Sequence, residues 1–427
     1  MGGARRASVL VALTVGLTVA ACGTSPADPP AAQGHGPADP ALSSATDPGP
    51  AQPPGPADVN GGLDAFYKVP TTLNPAPPGS IIRWNVIPSA GQLPPGATAY
   101  RILYHSESIA GNDVAVSGVI VVPGGAPPPG GFPIVSWAHG TTGLASQCVP
   151  SLGPLSSISY LAPLLRARMI VAATDYQGLG SPGIQPYLVG QSEAQGVLDA
   201  ARAARNLEGS AASNAVVVLG YSQGGQAALF AGQIAQSYAP ELFLAGVVAV
   251  GPVTSLTELA PAVPDTDADA DAGFAAMALY AWSQTYGNLP LASALTARAR
   301  RDDPLIATSC AGAVGAALDS TATRLLFRSD WSTERAVRAD DAVNEPGRAP
   351  SFAPVMVVQG VDDSLVPYRT TTTLVDHWLC RTQHDTVTYV PIPGASHSGA
   401  LQEGGPVILD WIWSRLAGRP DVDSCRS

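Results

Sequence analysis

Gly220-Tyr221-Ser222-Gln223-Gly224 sets a serine midway between two glycines, behind an apolar β-branched run at residues 215–219 and ahead of a small-residue helical pattern at 223–238. A serine on a sharp strand-to-helix turn stands clear of the sheet. Glycines two residues either side leave no Cβ to clash with neighbouring backbone. The first amides of the following helix point at the serine, where they can stabilise developing negative charge. Ser222 is therefore the candidate nucleophile.

A nucleophilic serine needs a base, and the base needs an acid to orient it. The strand-like run 354–358 leads into Gln359-Gly360-Val361-Asp362-Asp363-Ser364-Leu365-Val366-Pro367, where G-x-x-D-x-x-V-P spacing puts Asp363 at the acid position. Asp362 reads as a solvated turn residue. Behind the run 386–391 lies the loop Gly394-Ala395-Ser396-His397-Ser398-Gly399, whose His397 can take the proton of Ser222 and return it to a leaving group. Five other histidines compete: His35 in the leader, His105 in an early strand, His377 and His384 on or just after a peripheral helix, and His139, expected to order its loop. The spacing leaves 363 − 222 = 141 residues for an inserted unit and 397 − 363 = 34 for one helix and one strand. An oxyanion hole needs two backbone donors. The amide of Gln223, directly after the serine, is one. The amide of Thr141, in the loop His139-Gly140-Thr141-Thr142-Gly143 behind the run 132–138, is the other.

These residues need a scaffold. Strand-like runs fall at 100–105, 114–122, 132–138, 169–174, 215–219, 244–250, 354–358 and 386–391, with helical patterns at 192–207, 223–238, 369–380 and 406–416. Such alternation predicts a mostly parallel sheet with helices on both faces. Residues 254–351, between the sixth and seventh of these strands, contain helical apolar stretches at 274–282 and 311–318 and read as a cap over the catalytic edge.

The segments WAHGTTG at 137–143, TDYQGLG at 174–180, GYSQGG at 220–225, QGVDDSLVP at 359–367 and GASHSG at 394–399, with the cap, resemble the secretory lipase family over about residues 64–425. The resemblance implies an α/β-hydrolase fold with a helical cap inserted between strands six and seven and shaping the acyl site. It also implies cleavage of carboxylic esters, often triacylglycerols, by the triad Ser222, Asp363 and His397. Where the yeast members carry an aspartate-serine oxyanion segment, this chain has His139-Gly140-Thr141. The same triad geometry could serve a peptidase or amidase, and a non-catalytic envelope-anchored binding protein is a third reading.

The chain begins with Arg5-Arg6 and an apolar run 7–21, a secretory signal too short to span a membrane. It ends Val19-Ala20-Ala21-Cys22, resembling a bacterial lipobox with Cys22 as the lipidated residue and the membrane attachment point. Residues 22–60, rich in Pro, Ala and Gly, read as a tether. The expected organisation is signal 1–21, tether 22–60, core 61–253, cap 254–351 and core 352–427. A net charge of −11 argues against nucleic-acid binding. The acidic run at 265–271 lacks the glycine and closing glutamate of a calcium loop, and neither metal-ligand spacing nor a phosphate cradle is present, so no cofactor is expected. A lipid or small ester is the expected partner of a monomer, lipid-anchored outside the cell membrane or secreted. Cys148, Cys310, Cys380 and Cys425 allow three pairings. Cys148 follows the oxyanion loop and Cys310 lies in the cap, while Cys380 ends a helix and Cys425 lies beyond the last one. The economical pairing is Cys148–Cys310 and Cys380–Cys425, and the resemblance implies the first bridge as well.

Overall fold

The computed structural model describes residues 62–88, 93–259, 272–319, 321–420 and 422–426. The signal, Cys22, the tether with His35, and the acidic run 265–271 lie outside the described residues.

Nine strands form one sheet: β1 Ile81–Ile87, β2 Thr98–Glu107, β3 Asp113–Val122, β4 Phe132–Ala138, β5 Ile170–Thr174, β6 Ala212–Tyr221, β7 Phe243–Val250, β8 Val355–Gly360 and β9 Val387–Ile392. Their spatial order is β1-β2-β3-β5-β4-β6-β7-β8-β9. The first three and the β3–β5 pair are antiparallel, and the six from β5 to β9 run parallel. From β4 the chain steps to β5 on one side and then to β6 on the other. The carboxyl ends of β4 and β6 therefore flank a topological switch point, where open α/β sheets place their sites.

Both faces of the parallel strands are covered, so the strands read as continuous Val/Ile/Leu runs rather than alternating ones. Ile134, Val216, Val218, Val247 and Val355 pack under the helices Gly190–Asn206 and Gln223–Tyr238. Their strand neighbours Val135, Val217, Leu219, Val248 and Met356 face the helices Leu161–Arg166 and Gly405–Leu416. Each such side chain, fully buried, contributes roughly 1.5–3 kcal/mol of transfer free energy.

The insertion between β7 and β8 is helical, with Ala272–Tyr286, Ala311–Leu318 and Arg335–Asn344 its longest helices. Its own core gathers Met277, Trp282, Ile306, Val314, Trp331 and Val337, and takes in Leu144, Tyr187 and Leu188 from the sheet side. Within it the Asp341 carboxylate accepts from the Leu256 amide at 2.7 Å and the Ser255 hydroxyl at 2.7 Å. A polar contact seats it on the core, where Gln226 donates to the carbonyl of Asn344 at 2.7 Å.

Two sequence expectations need correction. The strand β1 is not among the runs read from sequence, so the insertion follows the seventh strand and precedes the eighth, not the sixth and seventh. The pattern at 369–380 is an α-helix, Tyr368–Thr373, continued by a π-helical stretch, Leu374–Thr382.

Candidate active site

β6 ends at Tyr221, and Ser222 takes φ 58° and ψ −118° before the helix begins at Gln223. A non-glycine residue held there costs on the order of 1–3 kcal/mol. The turn is held by the Ser222 amide donating to the carbonyl of Val250 on β7 at 2.8 Å. Both flanking glycines are required by close approach. A Cβ on Gly220 would lie 1.8 Å from the carbonyl oxygen of Gly224, and one on Gly224 would lie 1.9 Å from that of Ala138 on β4.

Asp363 lies three residues past β8, and four N–H groups converge on it. Its Oδ1 accepts from the amides of Leu365 at 3.0 Å and Val366 at 2.8 Å. Its Oδ2 accepts from Gln359 Nε2 at 3.0 Å and pairs with His397 Nδ1 at 2.7 Å. Asp362 beside it is exposed. His397 sits at the start of the helix His397–Glu403 rather than within a loop; the Ser396 hydroxyl caps that helix by accepting from the Gly399 amide. The His397 ring packs 4.9 Å from that of Tyr221, and its Nε2 has no hydrogen-bond partner among the described residues.

Ser222 and His397 line the same cavity of about 410 Å³, together with Gly140, Thr141 and Phe274. A second, narrower pocket of about 60 Å³ meets it at Ser222 and Thr141 and runs beneath the insertion between Leu188, Val253, Leu256 and Phe274. His139 opens the loop 139–143 behind β4. Its Nδ1 contacts the carbonyl of Gly140 at 2.6 Å and its Nε2 that of Asp175 at 3.4 Å, while Tyr176 donates to the His139 carbonyl at 3.0 Å. Burial pushes the His139 pKa down to about 4 against two carbonyl contacts that raise it, which favours the neutral ring. The Thr141 hydroxyl is paired with Tyr187 Oη at 2.9 Å.

The remaining histidines lie elsewhere. His105 pairs with Asp113 at 2.9 Å, and His377 and His384 are exposed. Among the described residues no group of three or more His, Cys, Asp or Glu is gathered to hold a metal ion.

The secretory lipase family pattern matches residues 156–424. The chain belongs to the secretory lipase family. A probable inactive lipase of Mycobacterium tuberculosis is 27% identical over 388 residues, covering 84% of this chain and 83% of that protein. Lipase 6 of Candida albicans is 26% identical over 398 residues, covering 85% and 83%. Among solved structures, Candida antarctica lipase A in its closed state aligns with a TM-score of 0.72 at 21% identity, over 88% of this chain and 90% of that one. A rice cell wall degrading esterase of Xanthomonas oryzae aligns at 0.65 and 20% identity, over 79% and 98%. The fold is that of the α/β-hydrolases.

Two cystines are present, Cys148–Cys310 and Cys380–Cys425. The first joins the insertion to the segment that follows the loop 139–143, beside the Ala311 amide, which donates to the carbonyl of Thr142 at 2.8 Å. The second holds the C-terminal residues near β9, where the Ser424 hydroxyl accepts from the Tyr389 amide at 3.0 Å.

Three supporting residues escaped the sequence reading. Gln359 bonds Asp363 from the floor of the site and is itself fixed by Thr371 at 2.9 Å. Asp175, in the TDYQGLG segment, accepts from the Ser117 hydroxyl at 2.7 Å and from the amide and hydroxyl of Ser151; burial raises its pKa to about 6. Glu193 is buried behind Gln223. It falls on the same helical stripe as Val197, Ala200 and Ala204, and a carboxyl within an apolar stripe was the available signal.

Proposed function

We propose that this protein is an extracytoplasmic serine ester hydrolase, a lipase or esterase that cleaves carboxylic esters, triacylglycerols among them, through an acyl-enzyme on Ser222. The observation that carries the reading is the Asp363–His397 pair. Its outer nitrogen, Nε2, is unpartnered, and the ring lines the same cavity as the serine on its strained turn. In this reading Asp363 holds His397 with its proton on Nδ1. Ser222 Oγ attacks the ester carbonyl, and its proton passes to Nε2 and then to the departing alcohol. Water, losing a proton to Nε2, then attacks the acyl carbon, and the carboxylic acid leaves Ser222. The amides of Gln223 and Thr141 are the proposed donors to the alkoxide formed in each half. The narrow apolar pocket beneath the insertion suits an acyl chain.

Ester over amide is supported by the family. The test is a series of p-nitrophenyl esters from C2 to C16, run beside an emulsified triglyceride and a peptide amide, with a fluorophosphonate label on wild type and Ser222→Ala. Hydrolysis of esters and labelling that depends on Ser222 are expected. Faster cleavage of the amide would make the protein a peptidase or amidase. Absence of any label would make it a binding protein.

The proposed location rests on the family and on the leader ending at Cys22. Cys22→Ser is expected to release the protein into the medium or leave it unprocessed. Wild-type protein already free in the medium would count against the anchor. Stable attachment needs more than one acyl chain, as in a diacylglyceryl cysteine with an added amide-linked chain.

A further inference from the structure

We propose that Glu193 is the positioning residue of the oxyanion hole, one buried carboxyl oxygen tying Gln223, which supplies one donor, to the Tyr187–Leu188 turn that meets Thr141, which supplies the other. The inference rests on the ester-hydrolase reading above. Glu193 Oε1 accepts from Gln223 Nε2 at 2.7 Å, and Gln223 is the residue directly after the nucleophile. The same oxygen accepts from the Leu188 amide at 2.9 Å. Leu188 holds φ 54°, a left-handed conformation that a branched side chain adopts only when its surroundings enforce it. Its neighbour Tyr187 carries the hydroxyl that meets Thr141 Oγ1 at 2.9 Å. A continuous path therefore runs from Gln223 through Glu193 and the Tyr187–Leu188 turn to Thr141. The insertion packs against Tyr187 and Leu188, and its Trp282 Nε1 donates to the carbonyl of Leu188 at 3.3 Å.

Glu193 lines neither cavity at Ser222, so it acts through its neighbours and not on substrate. It is 1% exposed, and Oε2 has no partner among the described residues. Burial outweighs the bonds from Gln223 and Leu188 and raises its pKa to about 8. The ionisable groups that feel its charge are the phenols of Tyr176 and Tyr187, both kept neutral by burial. Burial thus favours the neutral acid, whose Oε1 accepts the two N–H bonds. A glutamine amide has the same shape and the same acceptor. Donors misaligned by a fraction of an ångström lose transition-state stabilisation while ground-state binding survives, so the loss belongs in kcat.

The test is steady-state hydrolysis of a short p-nitrophenyl ester by the full-length protein, with competent sites counted by exhaustive fluorophosphonate titration. Glu193→Ala is expected to lower kcat per titrated site about 30- to 100-fold with KM within twofold. Glu193→Gln is expected to stay within about threefold of wild type. Tyr187→Phe, which keeps the ring and removes only the hydroxyl, is expected to lower kcat about fivefold. Should Glu193→Ala fail to fold, Glu193→Leu and Tyr187→Phe carry the test. Wild-type kcat per titrated site in these variants, with only the number of sites or the melting temperature reduced, would overturn the proposal and leave Glu193 a packing residue. Failure of the underlying reading would look different: Ser222→Ala would then remain as active as wild type.

Discussion

Asparagine in place of Asp363 meets four N–H donors with one oxygen and one NH2 group. The carboxylate now takes the Leu365 and Val366 amides on Oδ1, and Gln359 Nε2 with His397 Nδ1 on Oδ2. If the NH2 group turns toward the loop, two amide hydrogens are left facing a donor, at about 1–3 kcal/mol each. If it turns toward His397, only Gln359 Nε2 is left facing a donor, its amide held in place by Thr371 and the Val366 carbonyl. His397 must then accept through Nδ1 and carry its proton on Nε2, where it cannot take one from Ser222. The second arrangement costs less in stability and is therefore the one expected, with the base in the wrong tautomer. Turnover should fall about 10⁴-fold, or about 5–6 kcal/mol in the barrier, as for other triads altered in this way. Asp362→Asn, at an exposed position, should stay within about twofold. Initial rates on a C4 p-nitrophenyl ester, with thermal melts to show that both variants fold, decide the matter. A loss below tenfold in Asp363→Asn, or an equal loss in Asp362→Asn, would refute the assignment of the acid.

Ser222→Ala should lose about a million-fold in turnover while melting like wild type, measured by ester hydrolysis and circular dichroism. Gly224→Ala should not yield active protein, because its Cβ would sit 1.9 Å from a backbone oxygen of β4; soluble, active Gly224→Ala would show that the elbow can shift. Burial raises the Glu193 pKa from 4.5 to about 8, so its stabilising contribution is complete below pH 4.5 and is lost as pH rises to 8. Glu193→Gln should therefore gain on wild type by about 1.4 kcal/mol per pH unit between pH 5 and 8, read from urea midpoints, and a pH-independent difference would contradict the burial argument. Cys310→Ser should cost a few kcal/mol and alter chain-length preference before the sheet melts. An unchanged ester profile would mean that the cystine does not restrain the insertion.

Much of the parallel sheet was legible because doubly covered strands are continuous apolar runs, and the site was legible because an elbow serine requires glycines at fixed offsets. β1 was not. Ile81-Ile82-Arg83-Trp84-Asn85-Val86-Ile87 is an edge strand with only Ile81 buried, and its strand character comes from pairing with β2, which no local window contains. The short helix beginning at His397 was hidden by the glycines around it, although Ser396 was a cap signal in plain view. Gln359 and Glu193 were invisible for another reason. Their roles depend on partners such as Asp363, Val366, Gln223 and Leu188 that only the folded chain brings within reach.

Val247 and Val355 are 355 − 247 = 108 residues apart in the chain yet sit side by side as paired strand residues. The chain leaves β7 at its carboxyl end and enters the parallel β8 at its amino end, so the insertion also makes the crossover between neighbouring strands, with Ser222 encoded before it and Asp363 and His397 after it. Such a unit can be exchanged as a cassette: a foreign insertion that makes the same crossover would leave strand order unaltered. What the graft must reproduce is the underside that seats on Leu144, Tyr187 and Leu188, and a cysteine to meet Cys148. Diversity of ester preference among enzymes built this way would then be a matter of trading cassettes over an unchanged catalytic edge.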